Sequence, residues 1–245
     1  MIKTTLALYK AHFRRLSGLT LRLCLCFVAL PVFVYINNTF GQENGIWALL
    51  TLPGILAPLV LLVIFYPRVT LGIPIYLDAA AQGEDLPTKA LFAKTKGRKR
   101  RYAGNLALLF LPVMALMFGL SYLAGKLGLP EFLFSVPLAA AFAPLLLMLG
   151  PAAALEEPSG LKIKRGFALL RHSYARLIGL LFVFGAGPAL PITILSQTIF
   201  KENPIASMLL SAAGGLLFVV SFALMSTAAY VAYRALTPAQ APEAE

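Results

Sequence analysis

A chain of 245 residues could hold one or two soluble domains, but 59% of this one is hydrophobic and only 13% is charged. With its 19 glycines counted, about two-thirds of the chain is apolar, where a soluble chain averages roughly 45–50%, with about 25% charged. Too few polar side chains remain to cover a soluble surface, so lipid is the solvent for most of the chain, and disorder, a collagen-like repeat, a disulfide-rich module and a zinc ribbon are excluded.

A helix needs about 20 residues, at ~1.5 Å each, to cross ~30 Å of hydrocarbon. Six runs are long enough: about 19–36, 46–66, 105–125, 132–155, 177–200 and 205–233. They are continuous rather than alternating, which predicts helices and not a barrel. The expected fold is all-α and integral to the membrane, with six transmembrane helices. The connections 37–45, 126–131 and 201–204 are short. The segments 1–18, 82–104 and 156–176 carry the charge. With Arg22, Arg68 and Arg234 assigned to the same side, 19 of the 21 basic residues lie there, and only Lys126 and Lys201 lie on the other. The positive-inside rule then predicts both termini in the cytoplasm. A cleaved leader is not expected, because Arg22 interrupts the first run and no small-x-small site follows Ile36.

The basic segments share a spacing. Ala7, Ala93 and Ala168 each precede an arginine by eight residues (Arg15, Arg101, Arg176), and each arginine precedes a glycine by three (Gly18, Gly104, Gly179). A helical hairpin follows each time. The reading is three repeat units, about 1–81, 82–160 and 161–236, within one membrane domain, 1–236. Each unit is expected to open with a basic amphipathic interfacial helix, and residues 237–245 to form a disordered tail. In the third unit Phe167, Leu170, Tyr174 and Leu177 fall on one stripe. Such helices lie on anionic headgroups, the arginine snorkels, and the glycine admits a close neighbour. Arg15, Gly18, Arg98, Lys99, Arg100, Arg101, Gly104, Arg176 and Gly179 are the expected interfacial, lipid-facing set.

Gly72, the turn Gly83-Glu84-Asp85 and Leu91-Phe92 form one recurring pattern. Pro151 and Glu156-Glu157, followed by Phe167-Ala168-Leu169, Ser173 to Arg176 and Gly179, form another. On these residues, over most of 50–200, the chain resembles the YciC-like bacterial inner-membrane proteins and the membrane domain found beside glycerophosphodiester phosphodiesterases. Pro67 to Gly72 also resembles the YesL-like family, from which Ile73, standing between Gly72 and Pro74, departs. The resemblance implies a six-helix polytopic protein of a bacterial inner membrane and supplies no catalytic residues.

No catalytic or metal site is expected, and no cofactor. His12 and His172 sit in basic segments, and no H-E-x-x-H or G-x-S-x-G occurs. Cys24 and Cys26, two apart on a helix, point about 200° apart and are assigned to the core. The run Lys94 to Tyr102 is assigned to orientation and to anionic lipid, where each cation gains about 1 kcal/mol, and not to nucleic acid. Arg68 and Asp78 are the candidate intramembrane polar site. They flank Val69–Leu77, and residues 69–81 are too long for a solvent loop and too short to cross again. That stretch is a helical extension, an interfacial segment or a re-entrant one. Eleven of the 17 prolines lie in or at the ends of the runs, and the fifth run, with Gly185, Gly187, Pro188 and Pro191, is the best placed to be discontinuous. Ser207, Ser211 and Gly215 repeat at i+4 as a packing face. The functional expectation is a non-enzymatic inner-membrane protein acting through lipids or a membrane partner. The alternative is a small-solute transporter.

Overall fold

The computed structural model describes residues 1–40, 45–128, 132–156, 162–171, 173–186, 192, 195 and 203–237. Among these the chain is all-helical, with no strand. The helices are α1 (Ile2–Ala11), α2 (Phe13–Phe40), α3 (Gly45–Ala81), α4 (Thr88–Leu127), α5 (Phe132–Leu155), α6 (Lys162–Leu170), α7 (Tyr174–Leu181) and α8 (Pro204–Leu236), with a single π-helical turn, Phe182–Ala186, after α7. His172, Gly187, Pro188, Pro191, Glu157, Lys201 and the tail from 238 lie outside the described residues, as do the side chains of Cys24, Trp47, Ser207 and Ser211.

Three described helices are long and apolar enough to cross a membrane: Thr51–Ala81 of α3, Thr88–Leu127 of α4 and Met208–Leu236 of α8. The protein is therefore membrane-embedded. The pair formed by Lys162–Leu170 and Tyr174–Gly185 is bent by 97° and makes a fourth if taken as one span.

Contacts group the chain into two compact units. One takes in Thr70–Leu181 and the chain from Ser226 onward; the other takes in Ile2–Val69 and Phe182–Met225. In the second unit α2 meets α3 closely. A Cβ on Gly54 would overlap the Phe33 ring, and Thr51 Oγ1 donates to Asn37 Oδ1 at 2.7 Å. Tyr66 of α3 and Phe222 of α8 bring their rings to 5.6 Å, and a Cβ on Gly185 would come within 2.7 Å of the Met225 sulfur. In the first unit α5 packs against α4, α6 and α7. Gly150 lies against Thr70, whose Cγ2 would be 2.9 Å from an added Cβ. A larger residue there would separate α5 from α3.

The stretch Val69–Leu77 is a helical extension: α3 runs unbroken from Gly45 to Ala81. What changes along α3 is its surroundings. Leu52, Leu56, Leu59, Val60, Val63 and Ile64 are exposed, as lipid-facing side chains must be in an isolated chain. Val69, Leu71, Ile73 and Leu77 are 0–1% exposed. A helix covered on every side is surrounded by protein. α8 shows the same change, with Leu209, Leu216 and Val220 exposed but Ala228, Ala229 and Ala232 buried. α4 shows it in reverse chain order. Leu91, Thr95, Tyr102, Asn105 and Leu109 form one buried stripe, whereas only 6% of its most apolar stretch is covered by protein. The core of the first unit thus sits at the charged ends of these helices.

Gly83 ends α3. It takes φ +79°, Gly83 N donates to Ala80 O at 3.1 Å and Glu84 N to Ala79 O at 2.9 Å. That is the Schellman pattern, open to glycine because it carries no Cβ. The turn delivers Pro87 as the extended residue before α4, and Gly128, at φ +64°, closes α4.

Two sequence expectations are corrected here. The first is the separate interfacial helix in all three units. α1 and α2 break at His12, and α6 and α7 break between Leu170 and Tyr174, but the second basic segment is continuous with its span in α4. The stripe from Phe167 to Leu177 also fails, because the break lies within it. Ser173 N donates to Leu170 O, the 3.6-residue period does not carry across, and Phe167 and Tyr174 are exposed while Leu170 and Leu177 are buried. The second is the packing role of the repeat glycines. A Cβ on Gly18, Gly104 or Gly179 would meet nothing within 4 Å.

The contrast along α3 has a measurable consequence. Leu77→Ala empties a protein-lined site and is expected to cost about 2–5 kcal/mol, whereas Val63→Ala leaves lipid to fill the space. Thermal melts in detergent should show a large fall for the first and little for the second; equal falls would mean the two stretches share one environment.

Candidate functional site

The charged ends of α3, α5 and α8 hold two carboxylates that the fold places unfavourably. Asp78 lies in the last turn of α3 and Glu156 directly follows α5. A helix C-terminus carries partial negative charge, so an anion there needs compensation. α8 supplies it to both. Arg234 Nη2 donates to Asp78 Oδ1 in an ion pair, Tyr230 Oη donates to the same oxygen at 3.3 Å, and Gln82 Nε2 donates to Oδ2 at 3.2 Å. Tyr230 and Arg234 are four apart and so share a helix face. Tyr233, one residue from Arg234, donates its hydroxyl to Glu156 Oε1 at 3.0 Å. Glu156 also takes Lys162 Nζ at 3.0 Å and Arg165 Nε at 3.1 Å. Lys162 is largely covered, with a side chain 11% exposed, so its charge is satisfied by this carboxylate and not by water. Burial works to raise the Glu156 pKa, but the hydrogen bonds from Lys162, Arg165 and Tyr233 outweigh it and hold the carboxyl below its ordinary value.

Beside Asp78 opens a cleft of about 420 Å³. Ile75, Asp78, Ala79 and Gln82 of α3 line it, with Glu84 from the turn, Lys94 and Arg98 from α4, and Ala154 and Leu155 from α5. Lys94 and Arg98 are one turn apart on the same face of α4. Lys94 Nζ stands 3.9 Å from Glu84, with both side chains more than half exposed.

Asp78 therefore belongs to a polar cluster, but its partner is Arg234 and not Arg68. Arg68 is half-buried in α3, ten residues before Asp78, about 15 Å of helix rise. Of the interfacial set, Arg98 alone lines the cleft. Lys99 is half-buried, Arg100, Arg101 and Arg176 are exposed, and Arg15 is half-buried near the start of α2. Tyr230, Tyr233, Arg234, Glu156, Lys162 and Arg165 were not singled out by sequence as a site. Their signal was weak but present: a Tyr-x-x-Tyr-Arg run closing an apolar helix, in a chain with only 10 acidic residues. Among the described residues no group of three or more His, Cys, Asp or Glu is placed to hold a metal ion, and Cys26 is a buried free thiol.

Comparison with known proteins finds no matching family model, no similar curated protein and no matching solved structure.

The Glu156 cluster sets a pH response. Its pKa is lower in the folded chain than the ordinary 4.5. The stabilisation is therefore complete above that value and is lost as pH falls through the lower folded value. Melting temperature should drop on acidification below about pH 4.5 in the wild type. Glu156→Gln should start from a lower melting temperature and lose less over that range. A variant as acid-sensitive as the wild type would assign the response to other carboxylates.

Proposed function

We propose that this is a non-enzymatic, multi-pass protein of a bacterial inner membrane, with six spans in three hairpins and both termini in the cytoplasm. It acts through anionic lipids or a membrane partner, as an accessory subunit or an envelope-homeostasis factor. The observation that carries this reading is the continuity of α4. At ~1.5 Å per residue, residues 88–104 extend about 25 Å beyond the apolar stretch that begins near Asn105, and Arg98–Arg101 fall about 6–10 Å from that point, at headgroup depth. The basic run is thereby held on a helix that is itself anchored in the bilayer. The covered core at the charged ends supports the same reading, since it gives those cations a fixed scaffold. Kinship with the YciC-like proteins is part of the proposal. The residues that carry it lie together, with Gly72 within 3.7 Å of Leu91 and 3.9 Å of Phe92, measured from an added Cβ.

Transport of a small solute is the second reading. The 97° bend before Tyr174–Gly185 and the π-helical turn at Phe182–Ala186 favour it, because interrupted helices line pathways in transporters. On this reading the Asp78–Arg234 pair closes the inner end.

Reversing charge at Arg98, Lys99, Arg100 and Arg101 is expected to abolish association with the partner or with anionic lipid while membrane insertion is retained. Native mass spectrometry of gently extracted protein reads this directly, and unchanged association would remove the proposal. For the second reading, Asp78→Asn in liposomes should alter solute flux; flux no greater than that of empty vesicles, for wild type and variant alike, would eliminate it.

A further inference from the structure

Resting on the lipid reading above, we infer that the cleft beside Asp78 is a binding site for a phosphate group, with Lys94 and Arg98 as its cationic ligands. The four charged side chains lining the cleft are not equivalent. Asp78 is committed to Arg234, Tyr230 and Gln82, so its charge is already neutralised. Glu84 and Lys94 meet only at 3.9 Å, both largely in water, a contact that a stronger anion displaces at little cost. Arg98 is half-buried on the cleft wall and has no acidic partner among the described residues. A half-covered guanidinium still requires acceptors for its donors, and its planar fork matches two oxygens of one phosphate.

With Arg234 included, the cluster holds three cations against Asp78 and Glu84, an excess of one positive charge. The remaining wall is Ile75, Ala79, Ala154 and Leu155, which is apolar. A volume of about 420 Å³ suits a small organic ligand. The ligand class is therefore a phosphate mono- or diester with an apolar portion. Two sources share that chemistry: a phospholipid headgroup and a water-soluble phosphate ester.

The test uses the full-length protein in nanodiscs containing phosphatidylcholine and phosphatidylglycerol, with retained lipid read by native mass spectrometry. A parallel calorimetric titration with inorganic phosphate distinguishes the sources. K94Q/R98Q should lower retained phosphatidylglycerol, or phosphate affinity, by about tenfold. K99Q/R100Q removes the same charge outside the cleft: it should lower retained phosphatidylglycerol less than the cleft pair does and leave phosphate affinity within about twofold. E84Q removes the competing acid and should raise binding about two- to threefold. Lipid retention sensitive to the cleft pair assigns a headgroup; phosphate binding with the same sensitivity, without lipid retention, assigns a soluble ester. Equal losses in the two pairs would overturn the site while leaving the lipid reading intact. No loss in either would remove both. Unchanged binding in E84Q would overturn the site even if K94Q/R98Q did not fold.

Discussion

The arrangement at the charged ends depends on one constraint: two carboxylates stand at helix C-termini, where the backbone repels them, and one helix answers both. Asp78 and Glu156 lie on or beside different helices, yet Tyr230, Tyr233 and Arg234 of α8 reach them within little more than one turn. Spacings of three and four residues divide these side chains between neighbouring directions on the helix. The consequence is register. α8 cannot slide by a turn, about 5.4 Å, without leaving an uncompensated carboxylate, and such a charge in a partly covered site costs more than the pair itself contributes. The small residues Ala228, Ala229 and Ala232, all buried, permit the close approach that short polar contacts demand.

The membrane class was legible from composition, because lipid imposes it everywhere: long runs, few charges, and cations gathered between alternate runs. The environment of each run was not. Val63 and Leu77 look alike as residues, but one faces lipid and the other protein, and hydropathy barely distinguishes them. This is why residues 69–81 read as an anomaly in sequence and turn out to be ordinary helix in unusual company. The partner of Asp78 was hidden for a related reason. Arg234 looked like one more basic residue at the end of a span, and only the packing of α3 against α8 makes it a counter-ion.

The spacing shared by Ala7, Ala93 and Ala168 describes chemistry more than geometry. The local conformation differs among the three copies. A break falls within the first and third basic segments and not in the second, where Gly97-Arg98-Lys99 stays helical. The glycines that follow are open on their Cβ side. Gly54, Gly150, Gly166 and Gly185, which the pattern ignores, are pressed against neighbours. Close packing followed the local need for space, not the repeat.

The tie between α8 and the earlier helices also concerns time. Asp78 is separated from Arg234 by 156 positions, and Glu156 from Tyr233 by 77. At roughly 5–20 residues per second, the ribosome makes the first carboxylate about 8–30 s before its counter-ion and the second about 4–15 s before its tyrosine. During that interval α3 and α4 can enter the bilayer, but the carboxylates of Asp78 and Glu156 lack their contacts from α8. α8, made after the helices it ties, thus supplies the contacts that complete both carboxylate clusters.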